Sequence, residues 1–119
     1  GAEMLTVSAT YSYIGDSCLV HVHWGERCLG MARAPWADWE AVGKELRERG
    51  TIAVMPLPWS LLVPLPGGQL NIPPSAWDAF CDQLLLALCA ADDERATGAQ
   101  GYYSRWTEAN RERPAVLKG

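Results

Sequence analysis

The sequence predicts an α+β fold: a three-stranded antiparallel meander plus a proline-edged β-hairpin, with two to three helices packed on one face. Three observations predict this fold class. Apolar and polar residues alternate in three short runs over residues 4–33, which is the pattern of half-buried strands. Two later segments carry apolar residues at helical spacing. Between them, residues 55–74 contain six prolines and no charged side chain.

Two short glycine turns, at residues 15–16 and 25–26, divide the first segment into three strands. Two-residue turns with glycine first are typical of type II′ hairpins, whose twist matches that of the flanking strands. The residues beside each turn are therefore expected to pair across it: Ile14 with Ser17, and Trp24 with Arg27.

The register expected from these turns gives the meander one apolar and one polar face, because side chains alternate along a strand. The apolar face comprises Leu5, Val7, Ala9, Tyr11, Tyr13, Cys18, Val20, Val22, Trp24, Leu29 and Met31. The polar face comprises Thr6, Ser8, Thr10, Ser12, Leu19, His21, His23, Cys28, Gly30 and Ala32. We expect the helices to cover the apolar face.

The helices are placed by their end signals. The first is expected between Pro35 and Gly50, since proline suits the first helical position and glycine the residue past the end. The second is expected to begin at Ser75, whose hydroxyl can cap it, and to end near Gly98. A third, with fewer apolar residues, is expected over residues 104–113.

The proline-rich segment predicts a hairpin, with strands in residues 51–55 and 60–65 and a further strand in residues 69–72. Four of its prolines share one parity: Pro56, Pro58, Pro64 and Pro66. Successive N–H groups of a strand point to alternate sides, so the missing donors lie on one side, which predicts an unpaired edge. The absence of charge predicts that both hairpin faces are largely covered, by a helix, the other sheet or a partner.

Length and composition predict a single domain over residues 1–119, with residues 1–3 as a cloning remnant and residues 114–119 as a frayed tail. No apolar run reaches the ~20 residues of a membrane-spanning helix, and no signal peptide is visible. We therefore expect a cytoplasmic protein. A net charge of −4, with basic residues dispersed among acidic ones, argues against nucleic-acid or membrane partners.

The four cysteines are Cys18, Cys28, Cys81 and Cys89, and no two of them form a C-x-x-C pair. Cys18 and Cys28 are expected on opposite faces of the sheet. Cys81 and Cys89 are eight residues apart on one helix, about 12 Å along its axis, which is beyond disulfide reach. We expect four reduced thiols, three of them in the core, and a reducing compartment.

The sharpest chemical cluster in the sequence is His21, His23 and Cys28, which share the polar face in the expected register. Two imidazoles and a thiolate can hold zinc, and a Cys28–His23 pair can act as nucleophile and base. No carboxylate shares the patch to orient an imidazole, as is usual in such sites. A solvated sheet face is therefore the favoured interpretation, and the metal and thiol roles are kept as weaker hypotheses.

Two of the six tryptophans lie outside apolar stripes. Trp59 falls in the hairpin turn, and Trp106 lies on the weakest predicted helix. Tryptophan is enriched at binding hot spots, so both are candidates for contact with a partner. The predicted contact residues are Leu57, Trp59, Leu61, Val63 and Trp106.

No phosphate-binding loop, dinucleotide fingerprint or serine triad is present, so the chain is expected not to be an enzyme and to need no cofactor. The favoured function is a non-enzymatic protein-binding module, such as an inhibitor, immunity-type or adaptor protein of a bacterium or mobile element. Its partner is another protein or a second copy of the chain. The alternative is small-molecule binding in an aromatic pocket of Tyr11, Tyr13, Trp36 and Trp39. The third hypothesis is a metal- or thiol-dependent enzyme at His21, His23 and Cys28.

The cysteine pattern makes a direct prediction. Protein purified without reductant is expected to titrate with four free thiols, apart from slow oxidation at Cys28. Intact mass before and after alkylation in denaturant checks this. A native intramolecular disulfide would contradict both the reducing compartment and the expected sheet register.

Overall fold

In a computed structural model of the chain, the backbone is described for residues 4–112 and the side chains for residues 4–98. The first sheet has the order β1-β2-β3 and is antiparallel throughout. Its strands are β1 (Leu5–Ser12), β2 (Ser17–Trp24) and β3 (Arg27–Pro35). The predicted meander is confirmed.

The first turn is wider than predicted. Ser12, rather than Ile14, pairs with Ser17, which leaves a four-residue turn. Gly15 and Asp16 in this turn both have positive φ, at 83° and 47°. The error amounts to two residues, so the predicted faces of β1 and β2 are unchanged.

Contacts from distant elements hold the wide turn. The carboxylate of Asp16 accepts hydrogen bonds from the Tyr11 hydroxyl and from Nε of Arg95, and its backbone oxygen accepts one from the Trp36 N–H. The Tyr11 hydrogen bond and the nearby Arg95 guanidinium hold the pKa of Asp16 below its usual value. No local sequence pattern reports such partners.

A β-bulge between Val22 and His23 changes the faces of β3. Trp24 and Arg27 pair as predicted, but beyond the bulge Val22 pairs with Gly30, one residue later than expected. A one-residue shift exchanges the two faces of a strand. The prediction is therefore wrong here: Met31 is exposed, while Ala32 and Ala34 are buried.

The first helix is confirmed as α1 (Trp36–Arg49). Pro35 stands at its N-cap, and Gly50 ends it in the left-handed conformation with its N–H donating to Leu46 O. Trp36, Trp39 and Leu46 face the core. Trp39 is fully buried in the core, and its Nε1 donates a hydrogen bond to the Cys18 carbonyl, 3.0 Å away.

The second helix, α2 (Trp77–Glu112), is continuous over 36 residues and follows a 3₁₀ turn at Pro74–Ala76. The predicted end near Gly98 and the separate third helix are therefore wrong, because each of the two interior glycines, Gly98 and Gly101, costs only about 1 kcal/mol and no proline interrupts the segment. Ser75 lies inside the 3₁₀ turn, and no side-chain cap is present there. In residues 4–112, no helix combines the length and apolarity needed to cross a membrane.

One face of α2 packs on the inner face of the first sheet and reaches the unpaired edge of β1. Its buried residues are Phe80, Cys81, Leu84, Leu88 and Ala91. Gln83 also bonds to the free edge of β1, accepting from the Val7 N–H at 2.9 Å and donating to the Leu5 carbonyl at 2.6 Å. This side chain satisfies backbone groups that an edge strand otherwise leaves unpaired.

The proline-rich segment forms a second antiparallel sheet, in the order β4-β5-β6. Its strands are β4 (Met55–Pro56), β5 (Leu61–Leu65) and β6 (Gly68–Ile72). β4 pairs with Leu61 and Leu62, so Pro64 has a strand neighbour on one side alone, as expected. The prediction is wrong for Pro56, which pairs with Leu61, and of the predicted strand over residues 51–55 only Met55 lies in a strand.

Within the part of the chain that the structure describes, one face of the second sheet is buried and the other is not. Its buried residues are Val63, Leu65, Leu70 and Ile72. The other face is half-buried at Leu62 and exposed at Pro64, Gln69 and Asn71, so the prediction that both faces are covered does not hold within one chain. The predictions for residues 1–3 and 114–119 lie outside the described residues.

The second sheet packs against β3 at two glycines, which have no side chain to keep the backbones apart. One is Gly30 in β3, and the other is Gly67 in the turn between β5 and β6. A Cβ added at Gly30 would lie 3.3 Å from Leu70 Cβ. A Cβ added at Gly67, whose φ is 80°, would overlap the carbonyl oxygen of Arg33. Glycine is therefore required at Gly67 for two reasons, its backbone conformation and the close approach.

A matched pair of substitutions separates these two reasons. Gly15 has a similar φ of 83°, but an added Cβ there meets nothing within 4 Å. Gly15→Ala is expected to cost about 1 kcal/mol of unfolding free energy, from backbone strain alone. Gly67→Ala should cost at least about 2 kcal/mol more, because the sheets must also separate. Urea unfolding measures both, and equal costs would contradict the docking described.

Candidate functional site

The outer face of the first sheet brings together the three residues singled out in the sequence. His21 and His23 are half-buried on β2, and Cys28 is exposed on β3, paired with His23 across the strands. The helices cover the opposite, inner face, and solvent reaches this cluster at Cys28.

The three side chains form a chain of contacts with His21 in the middle. Cys28 Sγ lies 3.2 Å from His21 Nε2, and His23 Nε2 lies 3.3 Å from His21 Nδ1. The two imidazole rings are 4.1 Å apart at their centroids and tilted by 54°. The predicted Cys28–His23 contact is therefore wrong in its partner, since the thiol reaches the diagonal neighbour His21.

This order of contacts favours proton transfer over metal binding. The thiol faces one nitrogen of His21 and His23 faces the other, so the ring of His21 separates the two remaining donors. A tetrahedral zinc site needs donors that converge on one point. In residues 4–98, no group of three or more His, Cys, Asp or Glu residues is placed to hold a metal ion.

The same order matches a nucleophile, a base and a group that orients the base. When His21 carries its proton on Nδ1, that proton points to His23 Nε2, and Nε2 of His21 is free to accept the thiol proton. This is the logic of hydrolytic triads, in which a third group fixes the tautomer of the central imidazole. Here the third group is a second histidine, so the absence of a carboxylate does not exclude the arrangement.

A shallow cleft of about 520 Å³ opens beside Cys28. Trp59, Leu70 and Pro73 contribute its apolar wall. Among the described residues that line the cleft, Arg27 is the only charged one. Sequence reasoning missed this cleft, because its walls come from β3, the β4–β5 turn and β6 and meet only when the two sheets dock.

Three large apolar residues are exposed in β4 and the β4–β5 turn. Trp59 is 91% exposed, Met55 57% and Leu57 40%. The Leu57 N–H donates to the Ser60 carbonyl at 2.8 Å, which closes the turn beneath the tryptophan.

The other predicted contact residues differ in their placement. Leu61 is half-buried, and Val63 is fully buried in the core, so Val63 offers no surface to a partner. The side chain of Trp106 lies outside the described residues. Of the predicted set, the structure therefore exposes Leu57 and Trp59, and it adds Met55.

The aromatic residues predicted to form a pocket do not surround a shared cavity. Trp36 and Trp39 line a groove of about 360 Å³ between α1 and α2, whose rim carries both acidic and basic residues. Tyr11 packs edge-on against Trp36 with a centroid distance of 6.2 Å, and Tyr13 is 58% exposed. Neither tyrosine lines the groove.

The four thiols divide into two environments. Cys18 and Cys81 are buried, while Cys28 and Cys89 are exposed, so two rather than three cysteines fill the core. Burial raises the pKa of Cys18 to about 11 and also raises that of Cys81. At neutral pH both buried thiols stay protonated and are poor nucleophiles.

The histidines are expected to contribute little to stability. Among the described side chains, His23 contacts His21, and His21 contacts Cys28, on the outer face of the sheet. Replacing both histidines with alanine should therefore lower the unfolding free energy by no more than about 1 kcal/mol. Urea unfolding and metal analysis check this. Stoichiometric zinc in the wild type that is lost from the double variant would instead support a metal site.

Comparisons of the chain with protein-family models, with curated proteins and with solved structures found no match.

Proposed function

We propose that this protein is a non-enzymatic protein-binding module whose contact surface is centred on Trp59. The observation that carries the proposal is the 91% exposure of this tryptophan at the tip of the second sheet. An inhibitor, immunity-type or adaptor role in a bacterium or mobile element fits such a module.

Trp59 has the properties of a binding anchor. Its indole is among the largest apolar groups a protein can offer, and Met55 and Leu57, within four residues of it in the sequence, are also exposed. Exposed apolar area of this kind is uncommon on the surface of a monomer unless it meets a partner. The hydrogen bond between Leu57 and Ser60 holds the turn in place, so binding loses less conformational entropy than it would from a mobile loop.

The cleft beside Trp59 adds the polar groups that a peptide backbone requires. Ser60, Gln69 and Asn71 line it together with the apolar wall. An extended segment of another protein, with one large apolar side chain, matches this mixture. A second copy of the chain is the other partner to be distinguished by experiment, and nucleic acid is disfavoured because Arg27 is the sole charge among the described lining residues.

The location proposed for this module is the cytoplasm. All four cysteines are free, and exposed thiols such as Cys28 and Cys89 persist in a reducing compartment.

Peptide selection tests the contact surface while the natural partner is unidentified. A displayed library of random peptides is selected on the wild-type protein. The Kd of each enriched peptide is then measured by titration for the wild type and for Trp59→Ala. We expect the substitution to weaken the binding free energy by about 2 kcal/mol or more, which raises Kd roughly 30-fold, because it removes a hot-spot anchor. Sedimentation over a range of concentrations tests self-association: if a second copy is the partner, Trp59→Ala should weaken the association seen for the wild type.

Leu86→Ala is the matched control. Leu86 is 69% exposed but lies on α2, so its removal subtracts exposed apolar area elsewhere. Its peptide affinities should equal those of the wild type. Peptides that bind Trp59→Ala as tightly as the wild type, together with a monomer that is unchanged by the substitution, would refute the proposal.

A further inference from the structure

We propose that Cys28 is a nucleophilic thiol that exchanges with low-molecular-weight disulfides carrying carboxylates, with His21 as its base and His23 as a positioning residue. Glutathione disulfide is a representative of this chemical class. This site goes beyond the protein-binding function and does not depend on it.

The thiol has both access and a proton acceptor. Cys28 is exposed, and its Sγ lies 3.2 Å from His21 Nε2, within the reach of a hydrogen bond to sulfur. A thiolate is the reactive species in exchange, and a neighbouring imidazole promotes its formation. Cys89 is also exposed, but the described residues that line its groove include no histidine, so it has no imidazole beside it to accept the thiol proton.

A disulfide is the electrophile that these residues can serve without further groups. Acyl transfer also needs preorganised donors for a developing oxyanion, a requirement that disulfide exchange does not have. Disulfide exchange needs a thiolate, an accessible sulfur and a proton for the leaving thiolate.

The preference for an anionic disulfide comes from the cleft. Arg27 immediately precedes Cys28, and among the described lining residues it brings the only charge. Its guanidinium can pair with a carboxylate, and the volume of about 520 Å³ lies in the range of small-molecule sites.

The exchange transfers one proton and replaces one S–S bond with another. His21 Nε2 takes the proton of the Cys28 thiol, and Sγ attacks one sulfur of the disulfide. A new S–S bond forms to Cys28 as the original S–S bond breaks, and the leaving thiolate takes the proton from His21. The products are a mixed disulfide at Cys28 and one free thiol, with no other oxidant or reductant.

The mixed disulfide is expected to persist. Resolution within the chain would need a second thiol near Cys28, but Cys18 and Cys81 are buried and Cys89 lies in the groove between the helices. An external thiol must therefore release the modification, and the product accumulates to a level that mass spectrometry detects.

The experiment follows the rate of mixed-disulfide formation in the full chain treated with glutathione disulfide, by intact mass and peptide mapping. Cys89 is an internal control, an exposed thiol without an imidazole partner among the described residues. We expect Cys28 to react at least about tenfold faster than Cys89, and His21→Asn to remove most of this advantage. Equal rates at the two cysteines, or a rate at Cys28 unaffected by His21→Asn in a folded variant, would overturn the proposal.

The role of His23 is tested by two variants. The contacting atom of His23 is Nε2, so His23→Gln keeps an acceptor near its position for the Nδ1 proton of His21, whereas His23→Leu removes it. The rate at Cys28 should fall in His23→Leu and recover in His23→Gln, a difference that simple loss of packing would not produce. Equal loss in both variants would exclude positioning by this hydrogen bond.

The part played by Arg27 is measured with disulfides of different charge. Arg27→Gln should slow the reaction with glutathione disulfide several-fold and leave that with the neutral hydroxyethyl disulfide unchanged. An equal effect on both reagents would contradict the preference for carboxylates.

Discussion

The β-bulge between Val22 and His23 is the constraint on which the arrangement of both sheets depends. By adding one residue to β3, it turns Ala32 and Ala34 toward the core and Met31 outward. Small residues then face the second sheet, so β6 can pack close to the backbone at Gly30. With the larger Met31 turned inward, β6 could not approach β3 this closely.

Docking of the two sheets creates a surface that neither sheet has alone. Cys28 belongs to the first sheet and Trp59 to the turn of the second, yet both line one cleft. The proposed nucleophile and the proposed binding anchor therefore line the same cleft. The proposed partner site and the proposed thiol site share this cleft, so a modification of Cys28 would place a new group beside Trp59.

The inner face of the first sheet, by contrast, packs in the core and stabilises the fold. Trp39 fills the centre of the core and satisfies its indole N–H at the Cys18 carbonyl, and Gln83 satisfies the edge of β1. With α1 and α2 both on this side, the outer face keeps polar side chains that solvent can reach. The two histidines can therefore contact each other and Cys28 with little effect on the core.

Features that depend on neighbouring residues could be predicted from the order of the amino acids alone. Alternation placed the residues of β1 and β2 on the correct faces, and Pro35 and Gly50 marked the ends of α1, because side-chain alternation and helix capping are local. The wide turn at Asp16, whose partner Arg95 is 79 residues away, and the bulge that accommodates Leu70 arise from contacts between distant segments, so they emerge only in the folded chain. The same holds for the contact of Cys28 with His21 rather than His23, because the strand register fixes which residues are opposite but not which neighbouring side chain a thiol reaches.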